Sequence, residues 1–321
     1  MNKTHINSCT PVLLVLFVML SSCISSQSFL PVKGSGASLD KNFSVSDFHG
    51  IEVSGGFDVT LVQGNTENLI LTAQENLFEH ITVKVDQGVL KIYTENNIMA
   101  TQPLKARIMY KSIDKIRVSG GGDVKSETSV NVPNLGMDIS GGGDLSAVIN
   151  TDELECRISG GGDAKIDGNI KRYEFNLSGG GDLTSEVAAN SVFFEISGGG
   201  DVTLTCSEKV IDTDISISGG GDLTVEMNVE KIKCSVSGGG DATLAGQASQ
   251  LEITVNGGGD VFAGKFITGS TKFQVSGGSD IHVNVSRELT GNISGGGNVY
   301  YSGSPENVTV DAKGGSEIHR Q

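Results

Sequence analysis

Tryptophan is absent from this chain of 321 residues, proline and cysteine occur five times each, and aromatic residues make up 5%. Each shortage excludes something. Five cysteines spread from Cys9 to Cys234 cannot form the dense disulfide framework of a small secreted scaffold, and Cys156, Cys206 and Cys234 read as small buried hydrophobes. Positive charge is short too, with 23 Lys+Arg against 38 Asp+Glu and a formal net charge of −15. No basic surface is available to neutralise phosphates, so no nucleic-acid partner is expected. Past the first residues, histidine is limited to His49, His80, His282 and His319, none in a catalytic-looking motif. Nucleophile elbow, zinc motif and phosphate loop are all missing, and the chain is read as a non-enzyme without a cofactor. The apolar run at residues 12–20 is too short to cross a membrane as a helix. Glycine, by contrast, abounds: the 45 glycines are about twice the average usage yet far from the one-third of collagen.

The N-terminus reads as an address. Residues 1–22 have the layout of a signal peptide, with Lys3 ahead of the apolar run and small residues behind it. The string Leu20-Ser21-Ser22-Cys23 resembles a bacterial lipobox, which implies that Cys23 becomes the lipidated first residue of the mature chain. Ordinary cleavage nearby, leaving Cys23 as a free thiol, is the alternative. Residues 23–43, rich in Ser and Gly, are read as a flexible tether.

The dominant signal is a repeat. From Ser119 onward a Ser-Gly-Gly-Gly-Asp string recurs at a nearly even spacing, its last residue falling at Asp123, Asp144, Asp163, Asp182, Asp201, Asp222, Asp241, Asp260, Asp280, Asn298 and Glu317. So short and constant a period marks a solenoid, in which each repeat buries its face by stacking on its neighbours. Seven and five residues before the marker the chain is mostly apolar, as in Phe175/Leu177 and Phe194/Ile196. The residue just after it is apolar in every copy. Alternation on both sides of a glycine corner means strand, turn, strand. The expectation is an all-β chain: a single-stranded parallel β-helix of about 19–20-residue coils over residues 119–321, rising by about 4.7–4.9 Å per coil. Residues 44–118 are read as its irregular N-terminal β cap. They hold an isolated, imperfect corner, Ser54-Gly55-Gly56-Phe57-Asp58, and a hairpin turning at Asp86-Gln87-Gly88.

The run from Phe48 through Ser54-Gly55-Gly56-Phe57-Asp58-Val59-Thr60-Leu61-Val62-Gln63-Gly64, the later Gly88-Val89-Leu90-Lys91-Ile92-Tyr93, and the ordered corners resemble the auto-transporter adhesin head GIN domain (DUF2807) family, common among exported proteins of the Bacteroidetes. The resemblance spans residues 44–321. It implies a β-helical fold and a cell-envelope location, and it carries over no catalytic residues.

Two columns hold candidate sites. Stacking places Asp123, Asp144, Asp163, Asp182, Asp201, Asp222, Asp241, Asp260 and Asp280 in one ladder, a strand spacing apart. Like charges that close must be relieved, either by N–H groups of the corner, as in Asx-turns, or by Ca²⁺. The lack of a nine-residue period, the single carboxylate per corner and Asn298 favour turn capping without a metal. Two residues past the marker comes an outward column ending in Phe262, His282, Tyr300 and His319, a candidate ligand patch in a chain poor in rings. The resulting reading is an exported lipoprotein of the cell envelope, anchored at the outer membrane, whose β-helix acts as an adhesin or surface-binding module. Its partner would be a glycan or a host or cell-surface protein. The alternatives are a Ca²⁺-stabilised envelope scaffold and a β-helix polysaccharide-active enzyme, the latter disfavoured because so even a period leaves no long loops for a cleft.

Overall fold

Between glycine corners apolar and polar residues alternate, and in the computed structural model, which describes residues 31–95 and 97–321, each such stretch is one long strand or a run of two or three shorter ones. It lies parallel and in register on its counterpart one repeat later. Leu145–Gly160 pairs with Ala164–Gly179 from Leu145↔Ala164 to Gly160↔Gly179, and Leu223–Gly238 pairs likewise with Ala242–Gly257. The outcome is the expected β-solenoid, with about 11 turns at ~19-residue spacing.

In-register stacking turns sequence positions into columns. The column five before the marker, Ile139, Ile158, Leu177, Ile196, Ile217, Val236, Val255 and Val275, is 4% exposed or less throughout. Each such side chain contributes about 1.5–3 kcal/mol on burial. The column seven before the marker holds Cys156 and Cys234 with Phe175, Phe194 and Ile215 between them, so these two thiols stay apart. All three described cysteines are free and buried, and desolvation pushes the Cys206 and Cys234 thiols up to about 12. Tyr173 packs edge-on to Phe194 at 4.9 Å between ring centroids, filling one layer of the core.

The three glycines of a corner do different work. In the corner 198–200, Gly198 has φ +131°, a region side chains avoid. Gly200 has an ordinary φ, but a Cβ there would sit 1.9 Å from the carbonyl oxygen of Gly181 in the preceding coil. Gly199 faces open space.

The opening segment departs from expectation in an informative way. The imperfect corner at Ser54 is isolated in sequence but not in space: Gly50–Ser54 lies under Lys115–Gly120, with Ile51↔Ile116 and Val53↔Val118, and Phe57–Gln63 under Val124–Ser126. Beneath this coil lies another, made from Val89–Thr94 and Leu104–Tyr110. Antiparallel strands then close that end. Ile81–Asp86 pairs back on Val89–Thr94 through the two-residue turn Gln87-Gly88, both at positive φ, while Asn68–Gln74 pairs on Leu104–Tyr110. The 3-10 turn Glu75–His80, the one helical turn among the described residues, buries Leu77.

One expected boundary is corrected. Residues 32–43, read as the distal part of a tether, carry two strands: Val32–Lys33 pairs with Ile98–Met99, and Ser38–Phe43 pairs antiparallel with Asn68–Gln74. Ser38–Phe43 is an edge strand exposed at almost every position, so its composition looks like that of a solvated linker. The leader lies outside the described residues.

The longer steps are absorbed away from the glycine corner. The long step after Asp201 is taken up between Thr205 and Lys209. The step after Asp260 shifts register between Ala263 and Ile267 and again between Thr268 and Ser270.

A paired substitution tests the corner. Gly199→Ala should change unfolding free energy by no more than about 0.5 kcal/mol, whereas Gly200→Ala should cost about 2–3 kcal/mol through the forced shift of the coil beneath. Denaturant unfolding reads both, and equal effects would show that the stack does not limit the corner.

Candidate functional site

The glycine corner leaves each marker residue at the start of a strand, where its side chain can reach along the stack. Oδ1 of each aspartate accepts the main-chain N–H of the marker in the next coil. The distances are 3.0 Å from Asp144, 2.9 Å from Asp163, 2.8 Å from Asp201 and 2.7 Å from Asp280. The residue after each marker returns a bond, as Leu183 N–H donates to the carbonyl of Asp201 at 2.8 Å. Glycine N–H groups add a third, Gly199 to Gly179 at 2.9 Å. Each carboxylate thus has one oxygen fixed by a backbone donor, a charge-assisted bond. Asp123 through Asp222 stay exposed, so water screens their mutual repulsion.

The ladder extends further than the repeat count indicated. Asp58 accepts the N–H of Asp123 at 3.3 Å and is its first rung. At the other end Asn298 continues it, its N–H and Nδ2 both donating to Asp280 and its Oδ1 accepting from Glu317. The string Ser54-Gly55-Gly56-Phe57-Asp58 carried the signal for Asp58, but nothing local shows that a coil stacks across so long an interval of chain. An amide serves as a rung as well as a carboxylate does, so the position requires an acceptor rather than a charge. Among the described residues no group of three or more His, Cys, Asp or Glu side chains converges as a metal cage would.

The second column is a ladder of rings. Phe262, His282, Tyr300 and His319 stand in register on successive coils. Their rings stack with centroids 5.5, 4.6 and 5.1 Å apart and interplanar angles of 22°, 11° and 19°. Upstream the same column is Thr243, which pairs beside Phe262. Phe262 is 38% exposed, and His319 Nε2 lies 3.3 Å from the Glu317 carboxylate. This stacking turns the ring faces toward one another, so the strip offers solvent mostly ring edges. Edges bear the positive rim of the ring quadrupole and suit contact with side chains, carbonyls and hydroxyls more than flat stacking of a sugar. Cys23, the expected lipidation site, lies outside the described residues.

The family model described as "Putative auto-transporter adhesin, head GIN domain" matches residues 47–213 and 211–305. Several solved structures are similar. One, described as a putative adhesin from Parabacteroides merdae, is 17% identical, with 90% of this chain and 98% of that one covered and a TM-score of 0.42. A putative adhesin from Parabacteroides distasonis is 20% identical, covering 90% and 99%, with a TM-score of 0.36. A protein of the same species described as a putative lipid binding protein is 17% identical, covering 91% and 100%, with a TM-score of 0.38. No curated protein matches the chain.

The rung chemistry can be checked at one position. Asp201→Asn keeps an acceptor for the Asp222 N–H and should hold unfolding free energy within about 0.5 kcal/mol. Asp201→Ala, which removes it, should cost about 1 kcal/mol. Equal losses in the two variants would show that charge, not the hydrogen bond, sets the rung.

Proposed function

Because the chain belongs to the auto-transporter adhesin head GIN domain family, we propose that it is an exported protein of the cell envelope that works by surface display. A lipid on Cys23 anchors it at the outer membrane, and the solenoid holds an adhesive strip rigid against solvent. The observation that carries this reading is the ring column. The fold does not demand rings there, since the same outward column is filled upstream by Lys125, Ser146, Lys165, Thr184, Thr203, Thr224 and Thr243. Placing Phe262, His282, Tyr300 and His319 in it exposes apolar surface that buries nothing in the core, which is the pattern of a contact site. Rings supply large contact area at low conformational cost, and parallel stacking fixes their spacing before any partner arrives. A cell-surface protein or glycan meeting the ring edges and the Tyr300 hydroxyl is the partner class that fits.

Two measurements test it. Phe262→Ser with Tyr300→Ser in the full chain should cut attachment to immobilised matrix proteins or arrayed glycans at least about tenfold while leaving the melting temperature nearly unchanged. Unaltered attachment rejects the strip. Separately, mass spectrometry of the mature N-terminus should find acyl chains on Cys23, and Cys23→Ala should release the protein from membranes; an unacylated N-terminus rejects the anchor.

A further inference from the structure

A second surface, apart from the ring column, differs from the rest of this acidic molecule. Past the glycine corner, where the register shifts of the longer steps fall, the coils leave a groove of about 510 Å³, within the usual range for ligand sites. No acidic side chain lines it, whereas Lys209 and Arg287 both do. The groove over Ser140, Ser159, Ser178 and Ser197, in contrast, is lined by Asp138 and Glu195 as well as by Arg157. Neither Lys209 nor Arg287 has an ion-pair partner among the described residues. In a chain of net charge −15, a groove with two uncommitted cations and no carboxylate is the place where a negative ligand gains most.

The groove is built rather than incidental. Lys209, Asn228, Gln247 and Ile267 stand in one register column over successive coils. The Arg287 guanidinium lies directly on the main chain at Gly269: a Cβ there would fall 2.6 Å from Nη2 and 3.1 Å from Nε, and 2.7 Å from the Ser249 carbonyl oxygen of the preceding coil. A glycine seat of this kind holds the planar fork in place before binding, which lowers the ordering cost. Ile267, 56% exposed, adds an apolar patch between the amide and the guanidinium.

We propose that this groove binds a segment of acidic polysaccharide. Carboxylates of uronate units several residues apart along the polymer would meet Arg287 and Lys209, sugar hydroxyls the amides of Asn228 and Gln247, and ring C–H groups Ile267. The two cations arise from coils four steps apart, a rise of roughly 19 Å at strand spacing; the Arg287 guanidinium reaches back over Gly269 by one coil, and the remaining span suits an extended polyanion with charges at intervals better than one compact ion. Nucleic acid is disfavoured, since two cations release too few counterions to hold a phosphate backbone against so acidic a protein. The proposal is independent of the ring column and holds whether or not that strip is adhesive.

Calorimetric titration of the full chain with hexagalacturonate tests it, with maltohexaose as neutral control and phosphatidylglycerol vesicles as a lipid arm. Hexagalacturonate should bind and maltohexaose should not. Lys209→Gln and Arg287→Gln should each weaken binding about tenfold with unchanged melting, because both side chains are exposed. The two Gln substitutions decide, because a side chain at Gly269 would press on the Ser249 carbonyl and shift the coil as well as the guanidinium. Phe262→Ser with Tyr300→Ser should leave hexagalacturonate binding intact, which separates this site from the ring strip. Absent binding, equal binding of maltohexaose, indifference to both Gln substitutions, or binding to vesicles alone would overturn the proposal.

Discussion

At every corner of this solenoid, backbone rests on backbone with no side chain between. A Cβ added at Gly141, Gly143, Gly160, Gly162, Gly179 or Gly181 would fall between 1.6 and 2.0 Å from a carbonyl oxygen in the coil below, and the N–H groups of these corners bond to that same coil. The first and third glycines of each corner are therefore a requirement of contact distance, while the middle one faces open space. Because the corners stack at strand spacing, every coil inherits the same pitch, and position within a repeat becomes position on the molecule.

Identical positions then meet their own kind, with opposite results inside and out. Inward, apolar columns reinforce one another. Outward, repetition of a charge is a liability, and two solutions appear. The aspartate ladder commits one carboxylate oxygen per coil to a backbone donor. The column six before the marker alternates sign over its first three coils, with Arg117 paired to Asp138 at 3.2 Å and Arg157 to the same carboxylate at 3.6 Å, and is mostly uncharged beyond them. Much of the acidity of the chain is thus structural. The rings exploit the same multiplication: one residue choice repeated in four coils becomes a strip, and the rigidity of the strip comes from the corners rather than from the rings.

The repeat region was legible because its period, its alternation and its corners all point to one arrangement. Two features were not. Ser38–Phe43 has the composition of a linker because an edge strand exposed on nearly all sides is selected for solubility, not for burial. The spatial neighbour of Gly50–Ser54 is fixed by stacking against Lys115–Gly120, a contact across the whole cap that no local pattern encodes. At the candidate site the ring column could be read from spacing, whereas the facing of the rings toward each other depends on side-chain rotamers. The longer steps mark, in space, the register shifts beside the groove of Lys209 and Arg287.

The coil of residues 50–63 lies between two coils that follow it in the chain, 89–110 below and 115–126 above. It cannot be covered on both faces until residue 126 has been made. The antiparallel pairing of 81–94 is local and available at once, but the body of the cap closes through long-range contacts, which are slow to form. Past that point each coil needs only the coil before it. Assembly therefore divides into a non-local start and a processive extension that runs in the direction of synthesis, so a chain delivered N-terminus first always meets a finished template edge.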